Sequence, residues 1–387
     1  MAKLKSGFLT SAACALGLSL VVALPAAAQD ISIGVNMPLT GAFAASGNFV
    51  ADGAKIAVEE INAKGGVLGK KLNLIVEDNK SNPTEAAAVA EKLIVRDKVP
   101  VMLGAWGSSL TLAVMPKLMQ YNIPMVVETS SSSKITLQGN PYVFRISAPS
   151  SLEAANFAKV IDGFKIKKAD FLVVNNDWGR GTASDFSAMF KDKGIQVGTV
   201  ETMDQGAQDL SAQLAKIKAS DSDTLIVTTA VEQLTLVLKQ AQALGLKKQI
   251  ITTGGSQSPD QLAEQAGTAA NGTYHLLFFT PWSPDATPYP DRAKAFVEAW
   301  KKKGLPMAGL TESFRGYDGI NVIAAAITKA GSADPAKITE ALWKVEVPGL
   351  NGKIVFAKAG PEGRESGQSS PATYIVKIVD GKIQVAH

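Results

Sequence analysis

Cysteine occurs once in the 387 residues, at Cys14, and histidine twice, at His275 and His387. A lone cysteine closes no intrachain disulfide, and so few Cys and His residues build no zinc site. Charge of one sign is scarce as well, with a formal net charge of +4. The densest basic run, Lys301-Lys302-Lys303, ends an amphipathic helix pattern and reads as a solvated face, so nucleic-acid binding has no support. After Leu24 no apolar run approaches the roughly 20 residues that cross a bilayer. A phosphate loop is missing too. Gly65-Gly66-Val67-Leu68-Gly69-Lys70 follows a helix pattern, has the wrong spacing and lacks Ser or Thr after the lysine. There is no G-x-S-x-G elbow, and His275 sits in a strand pattern, which argues against a serine hydrolase. No metal, no cofactor and no catalytic activity are expected.

What is present begins with an export signal. Lys3 and Lys5 precede an apolar run from Ala12 to Leu24, then Pro25 and Ala26-Ala27-Ala28. That order marks a secretory signal peptide over residues 1–28, cleaved near Ala28. Cys14 is followed by ten further residues of that run, Ala15 to Leu24, so it is misplaced for lipid attachment. Removing Lys3 and Lys5 lowers the charge from +4 to +2. The remaining chain is long enough for two cores of ordinary size.

From Ile31 onward short apolar strands alternate with helical patterns. Strands are expected at Ile31–Met37, Leu72–Glu77, Val99–Leu103 and Pro124–Val127. A helix is expected to open at Asn82-Pro83-Thr84-Glu85, where a cap residue, a first-turn proline and a glutamate coincide. The rhythm restarts after Arg145, with strands at Phe171–Val174, Gln196–Val200, Thr224–Thr228 and Gln249–Thr252. Runs such as Phe171-Leu172-Val173-Val174 are apolar on both faces, as in a parallel sheet covered by helices on both sides. The tail adds a strand at Leu276–Phe279, three helices, and strands at Lys353–Phe356 and Thr373–Val379. The pattern predicts two doubly wound α/β units.

In such sheets ligands lie beyond the carboxyl ends of the strands. The residues found there are rich in Ser, Thr and Gly and include Trp106, Trp178 and Trp282. The sharpest group is Gly104-Ala105-Trp106-Gly107-Ser108-Ser109. Gly107 permits close approach, while Ser108 and Ser109 start a helix, whose free N–H groups and dipole suit a carboxylate. The plainer reading makes either serine a helix cap. Thr129 and Ser131, in the run Thr129-Ser130-Ser131-Ser132-Ser133, can complete the carboxylate's hydrogen bonds, or the run is simply a polar loop. The tryptophans can wall the solute.

These residues lead to a resemblance. The chain is similar, over its whole length after the signal, to periplasmic solute-binding proteins of the branched-chain amino acid type, which serve ATP-driven (ABC) importers. The segments that carry it are Ile31-Ser32-Ile33-Gly34-Val35-Asn36-Met37-Pro38-Leu39-Thr40-Gly41, Gly53 to Gly69, Leu72–Asp78, Pro83–Ala90 and Gly316-Tyr317-Asp318-Gly319. The resemblance implies a type I periplasmic binding protein fold, two lobes joined by three crossings. Lobe 1 would comprise residues 29–147 and 279–358, and lobe 2 residues 148–278 and 359–387. It implies a monomer that holds a small carboxylate-bearing solute in the cleft and meets permease subunits. Ser108, Thr129 and Ser131 match the carboxylate-binding positions, and Trp178 stands where the family often has tyrosine. Two positions depart from the pattern. Gly254-Gly255-Ser256-Gln257 replaces an ammonium-binding acid, and Ala230 replaces an aromatic, so Ser256 and Ala230 join the candidates. Asp177, Glu128 and Glu232 are the acids that could replace the lost charge. Amino acids, amides, oxo acids and aromatic acids all remain open as solutes.

Overall fold

The computed structural model describes residues 1–2 and 30–386. The signal segment, Cys14, the cleavage point near Ala28 and His387 lie outside the described residues.

Two seven-stranded sheets form the two lobes. In the first, β1 (Ile31–Met37), β2 (Leu72–Asp78), β3 (Met102–Gly104), β4 (Met125–Val127) and β5 (Val143–Arg145) run parallel in the order β2-β1-β3-β4-β5. The second repeats that order with β6 (Lys168–Val174), β7 (Gln196–Met203), β8 (Thr224–Thr228), β9 (Gln249–Thr252) and β10 (Tyr274–Leu277). The central strands are buried on both faces, which is why they read as unbroken apolar runs. Asn82 caps the helix Pro83–Glu91, its side chain accepting from the N–H groups of Thr84 and Glu85. Each sheet reverses its winding beside its first strand, and there the carboxyl ends open a crevice.

The tail corrects one expected boundary. The expected strand Lys353–Phe356 divides into a small hairpin, β11 (Val347–Gly349) with β12 (Gly352–Ile354), and an edge strand, β13 (Ala357–Ala359). Next, β14 (Ser366–Gln368) pairs with β5, so the chain stays in the first lobe well past residue 358. It enters the second sheet only with β15 (Tyr374–Val379), which runs antiparallel to β10, followed by β16 (Lys382–Val385). The cause is Arg145. This buried guanidinium needs acceptors, and Gln368 supplies one at 2.6 Å.

The two stretches that carry the resemblance best meet in space. Helices Ala44–Ala63 and Leu310–Ala330 cross with almost no separation at Gly53 and Gly316. A Cβ on Gly53 would fall 1.9 Å from the Ser313 carbonyl oxygen, and one on Gly316 1.9 Å from that of Val50. The Tyr317 hydroxyl donates to Glu60 at 2.7 Å across the same contact.

Candidate functional site

The crevice is built by three turns. The first follows β3, where Trp106 takes a left-handed φ of 64°. Such a conformation persists only when its surroundings over-determine it. Here the Trp106 N–H donates to Glu128 (3.0 Å), the Ser130 hydroxyl donates to the Trp106 carbonyl (2.8 Å), and the indole N–H donates to Glu312 (3.3 Å). The helix Ser108–Tyr121 then starts at Gly107 with no side-chain cap. Neither Ser108 nor Ser109 is therefore a cap, and the first N–H groups of the helix take no side-chain cap.

The second turn is Thr129–Ser133. Arg145 donates to the carbonyls of Ser130 (3.2 Å) and Ser132 (2.7 Å), and the Ser150 N–H donates to the Ser131 carbonyl (2.8 Å). With its carbonyl held by Ser150 and its neighbours' carbonyls held by Arg145, Ser131 lines the crevice. The Ser108 hydroxyl accepts from the Ser132 N–H at 3.0 Å and keeps its own proton for another acceptor. The third turn comes from the second lobe. Trp178, in the first turn of the helix Asp177–Asp192, lies edge-on to Trp106 with ring centres 6.0 Å apart. Gly254, at φ +90°, passes under its indole.

Together Trp106, Gly107, Ser108, Thr129, Ser130, Ser131, Trp178, Gly254 and Ser256 line a crevice of about 200 Å³, which includes space open to solvent. Six of the eight residues expected from sequence are among them. The Ser131 hydroxyl and the Trp178 indole N–H are buried without a hydrogen-bond partner. Both residues are only 3–5 % exposed, so each is a buried polar group whose unmet hydrogen bond is costly.

Two expected residues lie elsewhere. Ser109 is turned one helix position away from Ser108 and bonds Asp177 across the lobe boundary, at 2.8 Å through its hydroxyl. Ala230 precedes the helix Val231–Ala243 and lines a neighbouring hollow with Phe43 and Glu232, behind the Phe43–Trp106 ring pair. Trp282 stands outside the cavity, its indole N–H on Asp260 at 3.0 Å. None of the acids proposed to replace the missing charge lines the cavity. Asp177 is held by Ser109 and Lys134, Glu128 carries the Trp106 N–H, and Glu232 faces the first amides of the helix Ala44–Ala63. His275 is buried with its ring nitrogens on Thr252 and Thr273, both at 2.8 Å, so it activates no serine.

Sequence reasoning missed the supports of this wall. Glu312 holds Trp106, Glu153 accepts the Gly254 N–H at 2.7 Å, and Arg315 pairs with Glu312 at 2.7 Å while donating to the Gly255 carbonyl at 2.7 Å. The available signal was a glutamate and an arginine three residues apart, Glu312 and Arg315, near the start of a helix whose later part is mostly apolar.

Burial raises the carboxyls of Glu128 and Glu312 to about 7, that of Glu153 to about 8 and that of Asp318 to about 7. The folded state therefore binds more protons than the unfolded state between their ordinary values near 4 and about 7 to 8. The stability they lend is complete below that window and is lost as pH rises through it. His275, lowered to about 3 by burial, acts oppositely and costs stability as pH falls below 6.5. With four acids against one histidine, the melting temperature should decline from mildly acidic to mildly alkaline pH. Thermal melts of the wild type and of Glu153→Gln check this, because the variant should lose the upper part of the decline.

With the site described, likeness to known proteins can be judged. The periplasmic binding protein family matches residues 30–382. The Leu/Ile/Val-binding protein BraC3 of Rhizobium johnstonii is 32 % identical over 340 residues, covering 87 % of this chain and 90 % of that protein. The crystal structure of a leucine-binding protein, LivK, from Thermotoga maritima superposes with a TM-score of 0.81 at 30 % identity, over 92 % of this chain and 98 % of that one. A solute-binding protein of an ABC transporter from Rhodopseudomonas palustris, solved with 3,4-dihydroxybenzoic acid, gives 0.79 at 26 % identity, over 92 % and 95 %. The shared fold, the interlobe crevice and the match across nearly the whole described chain agree, and the chain belongs to the periplasmic binding protein family, as a solute-binding protein of the branched-chain amino acid type.

Proposed function

We propose that this protein is the periplasmic capture component of an ABC importer, closing its two lobes on a small carboxylate-bearing solute and delivering it to permease subunits. One observation carries the reading. Two buried, unpartnered donors, the Ser131 hydroxyl and the Trp178 indole N–H, line the same cavity as the uncapped start of the helix Ser108–Tyr121. Free amides at a helix start favour an anion. Ser108, Thr129 and Ser131 are assigned to the carboxylate, and Trp106, Trp178 and Ser256 to the walls. The ligands named for the relatives fit that chemistry, since branched-chain amino acids and 3,4-dihydroxybenzoic acid all carry a carboxyl group.

Closure by hinge motion is part of the proposal. A solute touching both Ser131 and Trp178 bridges the lobes and so favours the closed arrangement by its differential contacts. Contacts between the lobes would reinforce it, among them Ser109 with Asp177 and Ser133 with Asp185 at 3.0 Å. The protein is expected to work as a monomer. Ser131→Ala should weaken solute binding by about 1–3 kcal/mol, the cost of a lost buried contact. Ser108→Ala should fall in the same range and also free the Ser132 N–H. Calorimetry with a solute found by thermal-shift screening of amino, oxo and aromatic acids and amides measures both. Unchanged affinity in both variants would remove the carboxylate assignment.

A further inference from the structure

We infer that the solute carries no ammonium group and that Trp178 selects it by donating its indole N–H to a neutral oxygen of the solute, a hydroxyl or oxo group. This rests on the carboxylate reading above and adds the chemistry of the solute's second polar group. The indole N–H is a donor with no acceptor capacity. Buried and unpartnered at the cavity wall, it repels a cation and needs an oxygen. The rest of the lining agrees. Its members are Trp, Gly, Ser and Thr, with no acidic side chain among them. An ammonium ion buried there would have no counter-charge, which is costly.

The nearby acids do not reverse this. Each is set behind the wall and engaged with a wall donor: Glu128 with the Trp106 N–H, Glu312 with the Trp106 indole, Glu153 with the Gly254 N–H. Glu312 is further neutralised by Arg315. One oxygen of each is engaged in this way, and none of the three carboxyls lines the cavity. A hydroxyl or oxo group needs only the N–H that already stands unmet.

The test uses acids of one shape: leucine, its 2-hydroxy and 2-oxo analogues, and 4-methylpentanoate, which keeps only the carboxylate. A second pair is 4-hydroxybenzoate and 4-(aminomethyl)benzoate. Calorimetry on the mature protein should show each hydroxy or oxo acid binding at least tenfold tighter than its amine-bearing counterpart. Trp178→Phe should erase most of that preference. In the wild type the Trp178 indole N–H resonance should move downfield when a hydroxy or oxo acid binds, which tests the contact without any variant. Amine-bearing acids binding as tightly or tighter, or an unmoved indole resonance, overturns the inference. If 4-methylpentanoate binds and is weakened by Ser131→Ala while the hydroxy acids gain nothing, the carboxylate reading stands and this inference alone fails. If no acid of either set binds, the carboxylate reading fails and the inference with it.

Discussion

Arg315→Met should cost about 3–5 kcal/mol of stability, because it leaves a buried carboxylate without its counter-charge. Arg315 and Glu312 are each only 2 % exposed and form a 2.7 Å ion pair. The guanidinium also donates to the Gly255 carbonyl of the other lobe and packs beside the rings of Phe278 and Phe314. Methionine keeps much of the packing and none of the charge. Burial already lifts Glu312 to about 7 although Arg315 pulls it down, so the variant's carboxyl should titrate still higher. The loss should accordingly be largest in alkaline buffer and shrink in acid, where the group is neutral. Urea unfolding at two pH values measures both statements. Adding Glu312→Gln should restore much of the loss, and the cycle of single and double variants isolates the pair. A single variant with the wild-type midpoint would show that the pair contributes nothing.

Gly254→Ala should reduce solute affinity on the order of 100-fold, or about 2.7 kcal/mol, with a much smaller effect on unfolding. Two independent effects coincide at this residue. Its φ of +90° strains any residue with a Cβ, and the added carbon would lie 2.6 Å from the Trp178 indole nitrogen. The indole must shift, and the N–H aimed at the solute shifts with it. The Gly254 N–H bond to Glu153 resists any compensating loop movement. Calorimetry against the wild-type solute gives the affinity, and tryptophan fluorescence reports the displaced ring. Retained affinity would mean that Trp178 is positioned by something other than this glycine.

Much of the fold could be read from local pattern. The runs Phe171-Leu172-Val173-Val174 and Leu225-Ile226-Val227 are apolar on both faces, and that alone calls for a covered parallel sheet. The capped start at Asn82 is equally local, since Asn82, Pro83 and Glu85 carry it within four consecutive residues. Local pattern failed in the tail. The short strand Ser366–Gln368 has no periodicity worth the name, and it exists because Arg145, more than 200 positions earlier, needs Gln368 as an acceptor. The same limit applied to the site. Ser108, Thr129, Ser131 and Trp178 follow strand ends and could be found by position. Ser109 and Ala230 also follow strand ends, yet a single helix step and a tryptophan–phenylalanine pair turn them elsewhere.

By itself the sequence determined the alternation of strand and helix, the absence of disulfide, Cys/His metal and phosphate-loop chemistry, and the set of strand ends at which a site could form. These follow from side-chain type and spacing along the chain, which need no knowledge of distant neighbours. Only the tertiary structure decided which hydroxyls face one cavity, that the Trp178 N–H is left unpaired within it, and that the nearby acids each bond a wall donor from outside its lining. Those outcomes depend on burial and on hydrogen bonds between residues far apart in the chain, where the loss of water makes every unmet donor or charge expensive.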